Sequence, residues 1–205
     1  MTRRLIREIV NGVCTILTFP LWGMVRLFTV FGNYQTIFSA SGQWLSLVPG
    51  TIGVWLRRAF YRMTLEDCGA DFSIGFLSWI SSPQSVIGKR VYIGSLSVMG
   101  TVELDDNVLI GSSVHVLSGR HQHSPTSLDS PMNAQAGTFS RTSIGSNVWI
   151  GNGAIVMANI DSNTVIGAGS VVVRPIDRGV VAVGNPAKVI KALNIGDVKT
   201  PDVWS

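Results

Sequence analysis

The sequence carries little charge for its length. Only 14% of its 205 residues are Asp, Glu, Lys or Arg, whereas about 25% is usual in soluble domains. The mean hydropathy is correspondingly high, at +0.34. A chain of this length can bury a substantial core, so we expect the surplus apolar surface to be exposed or covered by partners.

Cysteine is also scarce. Cys14 and Cys68 are the only two in the chain, and they stand in unrelated contexts with no CxxC spacing. This excludes a dense disulfide framework and favours a reducing cytosol.

Acidic residues are nearly missing from the first third of the chain. Residues 1–66 hold seven arginines and two glutamates, a net charge of +5, and the remainder carries −1. The basic balance therefore indicates an anionic surface next to the N-terminal third. It does not favour nucleic acid bound along the whole chain.

No convincing signal-peptide cleavage site follows the apolar segment at residues 9–31. This segment is interrupted by Pro20 and Arg26, and its uncharged part is shorter than the roughly 20 residues of a membrane span. We expect a kinked helix embedded in, or lying on, a membrane. The alternative is a helix buried in a trimer interface.

Residues 51–63 follow a helical pattern. The apolar side chains on one side are Ile52, Trp55, Phe60 and Met63, and the arginines at 57, 58 and 62 lie elsewhere. Such a basic helix with aromatic residues suits an anionic bilayer surface. It could equally pack across one end of the domain.

Single aliphatic residues recur every six positions through most of the remaining chain. The positions are Ile74, Ile80, Ile87, Ile93, Met99, Leu104, Ile110, Val116, Ile144, Ile150, Val156, Ile160, Ile166 and Val172. A period of six fits neither an amphipathic helix nor a hairpin strand. Three six-residue units closing one triangular coil explain it, with Gly, Asn, Ser and Asp at the corners.

The coil interpretation predicts which side chains stack at the inter-strand spacing of about 4.8 Å. The predicted pairs are Ile160 on Ile144, Ile166 on Ile150, and Val172 on Val156. The step between Val156 and Ile160 is two residues short, so one corner there should be tightened.

Regularity stops at residues 118–142, a polar stretch too long for a corner. Loops of this length in compact domains are usually functional or disordered. The three histidines of the chain, His115, His121 and His123, lie in or just before it.

The stretches IGSNVWIGNGAIV, VIGAGSVV and GNPAKVIK resemble the hexapeptide-repeat acyltransferases, over roughly residues 72–190. Within that family, the chain is most similar to O-acetyltransferases that modify bacterial polysaccharide sugars. The resemblance implies a mainly β fold, a left-handed parallel β-helix that assembles as a homotrimer. We expect residues 67–190 to form it, after an α-helical membrane-associating region at 1–66 and before a tail at 191–205.

By the same resemblance, His121 is the general base and His123 the second candidate, because the family's catalytic histidine lies in such a loop. An imidazole titrates near neutral pH, as base catalysis requires. His115, Gln135 and Trp149 are expected to contact the acceptor. Relatives commonly have arginine where this chain has Asn133. No metal is expected, because the HxH loop lacks the spacing of the zinc-binding β-helix enzymes.

The resemblance also implies acetyl-CoA as the donor, in a groove between subunits. Asn152 and Ala168 would contact pantetheine, and Arg174 and Lys188 would contact phosphate, for which cations are suited.

The predicted function is acetyl transfer to a sugar hydroxyl of a bacterial surface-glycan or polysaccharide precursor, lipid-linked or nucleotide-linked, at the cytoplasmic face of the inner membrane. One alternative acceptor is a small amine, amino sugar or antibiotic. A non-catalytic scaffold in a membrane glycan-assembly complex is an alternative of another class.

Overall fold

The computed structural model describes residues 2–29, 32, 34–122 and 128–193. His123 and residues 194–205 of the expected tail lie outside the described residues. Three helices precede a solenoid of short strands: α1 at Thr2–Thr29, α2 at Tyr34–Ser46 and α3 at Gly50–Thr64.

The strands form the three faces of a triangular solenoid. Sheet 1 contains β1 Asp67–Cys68, β4 Val86–Ile87, β7 Val102–Leu104 and β10 Thr142–Ile144. Sheet 2 contains β2 Ser73–Ile74, β5 Tyr92–Ile93, β8 Leu109–Ile110, β11 Trp149–Ile150, β13 Val165–Ile166, β15 Val180–Val183 and β16 Lys188–Ala192. Sheet 3 contains β3 Trp79–Ile80, β6 Val98–Met99, β9 His115–Val116, β12 Ile155–Val156 and β14 Val171–Val172.

The predicted stacking is confirmed. Parallel pairing joins Ile144 to Ile160, Ile150 to Ile166, and Val156 to Val172. All fourteen hexad aliphatics are buried, with at most 2% of each exposed. Because a six-residue unit turns a corner before the next begins, the same inward position recurs on each face and its side chains fill the interior.

Several corners use the left-handed backbone region, and asparagine stands at three of them, as the sequence predicted; Leu77 and Leu96 also adopt it, which the sequence did not predict. Asn107, Asn147 and Asn163 adopt φ of 62°, 57° and 58°, which asparagine tolerates better than most residues. The coils also approach closely: a Cβ on Gly151 would lie 2.5 Å from the backbone nitrogen of Ala168. The short step at Ile160 is accommodated by a single bridge in place of a strand.

The last strand of the solenoid is paired differently from the strands of the six-residue repeats. Strand β16 runs antiparallel to β15, whereas every other pairing in the sheets is parallel. It therefore covers the last parallel edge of sheet 2, which would otherwise present unpaired backbone groups.

Helices α2 and α3 close the opposite end. Phe38, Phe60, Tyr61 and Phe72 pack there with ring centroids 5.3–6.1 Å apart. The Ile80 N–H donates to the Tyr61 hydroxyl oxygen at 3.0 Å, and burial raises the pKa of that hydroxyl.

The expectation that α3 lies on a bilayer with its arginines in the headgroups was wrong for Arg57. This side chain is fully buried, whereas Ile52 is 63% exposed. Arg57 donates to the carbonyls of Ile74, Leu45 and Val48 at 3.0, 3.0 and 2.8 Å. The alternative, packing across the end of the domain, is what α3 does.

Helix α1 packs on α2 and α3 but leaves much of its apolar surface open. Its segment Glu8–Thr29 is long and apolar enough to cross a membrane, and 17% of the apolar window is buried against the rest of the chain. Pro20 lies inside the helix. Composition and length of one such helix do not by themselves establish a membrane span.

Candidate functional site

The loop that interrupts the solenoid leaves sheet 3 after β9 and returns at β10. Its two arms are joined by backbone hydrogen bonds. Thr138 N–H donates to the His121 carbonyl at 2.7 Å, and Ser140 N–H donates to the Ser118 carbonyl at 3.1 Å. His121 is therefore held at a fixed point of the loop backbone.

The His121 side chain is exposed and is contacted by its neighbour. Arg120 Nε donates to His121 Nε2 at 2.8 Å, and Arg120 Nη1 reaches the Val173 carbonyl at 3.4 Å. An imidazole nitrogen that accepts a hydrogen bond carries a lone pair. The lone pair of Nε2 is thus engaged by Arg120, and this nitrogen can take a proton only after that hydrogen bond is released.

A cleft of 580 Å³ lies beside this loop. Its walls come from sheet 3, the loop and helix α2: Gln35, Ser81, Ser82, Gln84, Val98, Gly100, Thr101, His115, Val116, Leu117, Ser118, Gln122 and Phe139. His115 projects outward from β9 between Val98 and Ile155 of the adjacent strands. The cleft is therefore rich in hydroxyl and amide groups.

Gln135 follows a short 3-10 helix at Met132–Ala134 and is turned into the loop. Only 9% of it is exposed, and its Nε2 donates to the Ser130 carbonyl at 2.8 Å. In this conformation Gln135 braces the loop, whereas Asn133 is exposed.

Trp149 lies away from His115 in the single chain. It projects from β11 on sheet 2, is 53% exposed, and lines a separate groove of 650 Å³. His115 and Gln122 thus share one cleft, while Trp149 belongs to another face of the solenoid.

The four residues expected to contact the acetyl donor lie in two parts of the solenoid. Asn152 and Ala168 occupy stacked corners between sheets 2 and 3, where the Gly169 N–H donates to the Asn152 carbonyl at 2.8 Å. Lys188 begins β16 and pairs with Val183 of β15, close to that corner. Arg174 follows β14, beyond sheet 3, and is exposed.

Asn152 has a second role in the fold. Its Oδ1 accepts a hydrogen bond from the Ser112 N–H at 2.9 Å. The side chain therefore ties its corner to the coil on the other side of the loop insertion.

Sequence reasoning missed Gln35 and Phe139, which complete the cleft. Phe139, 67% exposed, is an aromatic residue in a polar loop, and that contrast was a usable signal. Gln35 gave none, because only the packing of α2 brings it beside sheet 3. Arg141 was missed too: it joins Glu66 and the Gln84 carbonyl, each at 2.6 Å.

Within the described part of the chain, no group of three or more His, Cys, Asp or Glu side chains could hold a metal ion. Burial raises the pKa of the half-buried Cys68 thiol to about 12, with nearby Asp67 adding to the effect and Arg62 and Arg58 opposing it.

Neither a family model nor a curated protein matches the sequence, but solved structures do. A maltose O-acetyltransferase from Clostridium difficile is 24% identical over 78% of this chain and 88% of its own, with a TM-score of 0.58. A hexapeptide-repeat acetyltransferase from Vibrio cholerae, complexed with acetyl-CoA, is 21% identical over 79% and 90%, with a TM-score of 0.65.

A galactoside acetyltransferase in complex with coenzyme A is 24% identical over 78% of this chain and 82% of its own, with a TM-score of 0.58. Likeness at this level of identity establishes a common architecture. The chain therefore has the parallel β-solenoid fold of the hexapeptide-repeat acetyltransferases.

Proposed function

We propose that this protein is an acetyl-CoA-dependent O-acetyltransferase whose acceptor is a sugar hydroxyl of a bacterial surface-glycan precursor. The observation that carries the proposal is His121. Its Nε2 is a hydrogen-bond acceptor in the loop that interrupts the solenoid, and a cleft lined with hydroxyl and amide groups lies beside that loop.

His121 acts as the general base. Acetyl-CoA supplies an acetyl group activated as a thioester. Once Arg120 releases Nε2, this nitrogen takes the hydroxyl proton as the acceptor oxygen bonds to the thioester carbonyl carbon. The carbon–sulfur bond then breaks, and the imidazolium gives the proton to the departing thiolate. A positioned base of this kind contributes about 10²–10⁴-fold to the rate. His123 is the second candidate for this role.

The cleft favours a hydroxyl acceptor over an amine. Its described lining residues include no carboxylate, and a carboxylate is what an ammonium group would require on burial. Hydroxyl groups of a sugar fit Ser, Thr and Gln side chains, each of which donates and accepts. His115 would contact the acceptor there, and Gln135 would act through the loop.

The donor would lie along the corner between sheets 2 and 3. Asn152 and Ala168 would contact the pantetheine arm, and Lys188 and Arg174 the phosphates. All four are exposed, and two of the structural neighbours were determined with acetyl-CoA or coenzyme A bound. Maltose and galactoside acetylation by neighbours of this fold supports a sugar acceptor.

The active form would be a homotrimer. Tyr92, Leu109 and Trp149 stand opposite one another on β5, β8 and β11 of sheet 2 and are 46%, 46% and 53% exposed. A second copy covering this apolar ladder would bring Trp149 toward a neighbouring subunit, where it would meet donor or acceptor.

Helix α1 would hold the enzyme on the cytoplasmic face of the inner membrane. Leu5, Ile9, Ile16, Leu17 and Leu27 are each more than half exposed, and apolar surface of this kind is stabilised in a bilayer. The acceptor would then be a membrane-bound precursor.

The test is release of free thiol from acetyl-CoA by the full chain with candidate glycans. We expect His121→Ala to lower the turnover number at least about 100-fold, with an unchanged melting curve. Parallel His115→Ala and His123→Ala variants identify which imidazole is needed. Unchanged turnover in His121→Ala would refute its assignment as the base.

A further inference from the structure

A second recess opens next to the acceptor cleft, at the point where α1 ends. Its volume is 320 Å³, and it is lined by Val25, Arg26, Tyr34, Thr64, Leu65, Glu66, Pro83 and Gln84. Gln84 also lines the cleft that holds His115. The recess and the cleft are therefore neighbours along one surface.

Arg26 brings an available positive charge to the recess. Its guanidinium carbon lies 5.8 Å from the Trp22 ring centroid, and no carboxylate in the described residues forms an ion pair with it. Glu66 is the one acidic residue in the recess lining, and Arg141 already pairs with it at 2.6 Å. The charge that remains at this site is positive.

Tyr34 adds a hydrogen-bond donor beside Arg26. Both residues line the recess. Burial raises the pKa of the Tyr34 hydroxyl, and the charge of Arg26 opposes this shift. The protonated phenol and a guanidinium are both donors. Together they suit a phosphate, which accepts several hydrogen bonds and prefers the planar arginine fork.

An apolar track leads to this cation along α1. Phe19 and Trp22 stack with centroids 4.9 Å apart, and Arg26 stands one turn further on the same side of the helix, at spacings of three and four residues. Arg26 is also near the end of the apolar segment Glu8–Thr29. In a membrane-embedded helix that end lies at headgroup level, where lipid phosphates are found.

From these contacts we infer that the recess between α1 and the solenoid binds the phosphate that links a lipid chain to the acceptor sugar. The lipid chain lies against Phe19 and Trp22, the phosphate meets Arg26 and Tyr34, and the sugar extends past Gln84 into the His115 cleft. This inference rests on the proposed acetyl transfer for its biological meaning, but phosphate binding can be measured without turnover.

The experiment uses the full chain in nanodiscs of phosphatidylcholine. Geranylgeranyl diphosphate is titrated against the wild type, Arg26→Gln and Arg62→Gln, with geranylgeraniol as the uncharged probe. Arg62 is the matched control, because it is likewise a basic residue in the last turn of its helix but does not line the recess. Any general helix-end effect of arginine is then shared by both variants.

We expect Arg26→Gln to raise the Kd for the diphosphate at least about tenfold, the loss typical of one charge-assisted hydrogen bond. Arg62→Gln should bind as the wild type does, and geranylgeraniol should bind more weakly to the wild type. Equal effects of the two substitutions, or equal affinity for the alcohol, would overturn the inference.

Two further measurements complete the experiment. One distinguishes the phosphate of a lipid-linked sugar from a phospholipid headgroup, and the other distinguishes phosphate binding from acetyl transfer. Phosphatidylglycerol in the nanodisc should not displace the diphosphate at equal mole fraction; displacement would mean a general headgroup site and would refute the inference. His121→Ala should bind the diphosphate with unchanged affinity even though it lacks turnover. Loss of binding in that variant would show that the recess is not a separate phosphate site.

Discussion

Arg120 Nε donates a hydrogen bond to Nε2 of His121 at 2.8 Å, and the same guanidinium reaches the Val173 carbonyl beyond β14. The loop that carries the imidazole is thereby tied to the coils that follow it. The contact orients the imidazole before the reaction, which makes Arg120 a positioning residue for His121, and it must open before Nε2 takes a proton.

Replacing Arg120 by Ala should lower the turnover number roughly ten- to a hundredfold, because a small displacement of a catalytic group costs rate. The Michaelis constant for acetyl-CoA should change little. Arg174→Ala is the comparison, since that exposed side chain is proposed to meet the donor phosphates and should raise the Michaelis constant instead. If Arg120→Ala raised only the Michaelis constant, Arg120 would be a donor contact and not a positioning residue.

Arg57 should be essential for stability although it is cationic. Its hydrogen bonds to the carbonyls of Ile74, Leu45, Ser46 and Val48 join the C-terminal end of α2 to the first coil. Arg57→Met leaves those carbonyls without their donor, which should lower the free energy of unfolding by about 3 kcal/mol or more. Urea denaturation followed by circular dichroism measures the change.

The control for Arg57 is Arg62→Met, an exposed position on the same helix, where a change within about 0.5 kcal/mol is expected. Similar losses in both variants would mean that α3 does not depend on the buried guanidinium.

The apolar ladder on sheet 2 should decide the assembly state. An aspartate at Leu109 would place a charge between Tyr92 and Trp149 on the adjacent strands, and burying an unpaired carboxylate is strongly unfavourable. Light scattering should give three times the 22.1 kDa chain mass for the wild type and a smaller mass for Leu109→Asp. Leu128→Asp, at a loop position 99% exposed, should leave the mass unchanged. A trimeric Leu109→Asp protein would place the interface elsewhere.

Deprotonation of the Cys68 thiol should make the free energy of unfolding depend on pH in the alkaline range. Its pKa is raised to about 12 in the folded chain from an ordinary value of 9.0, so the unfolded state loses the proton first as pH rises. The stabilisation from the protonated thiol is therefore complete below pH 9 and is lost as pH rises toward 12. Comparing the urea midpoints of wild type and Cys68→Ser from pH 8 to pH 10.5 tests this. Parallel pH curves for the two proteins would contradict it.

The solenoid could be predicted from the sequence because its signals are local. Each inward aliphatic, such as Ile150 or Ile166, is followed by its own corner residues, and a regular repeat leaves few ways to stack. The position of His121 could be predicted for the same reason: an interruption stands out against a repeat. The left hand of the coil and the role of His121 remain predictions, because they came from resemblance.

What the sequence by itself determined is thus the repeat, its buried positions and the place where it breaks. Tertiary structure decided the rest. Arg57 has the sequence pattern of a surface residue, but α2 and the first coil supply carbonyls for it. Gln35 reaches the cleft only because α2 packs there, and the fold places Arg26 and Gln84 in the lining of one recess. The helical period determines which residues share a face. Residues distant in the chain determine which face is buried and which groups it contacts.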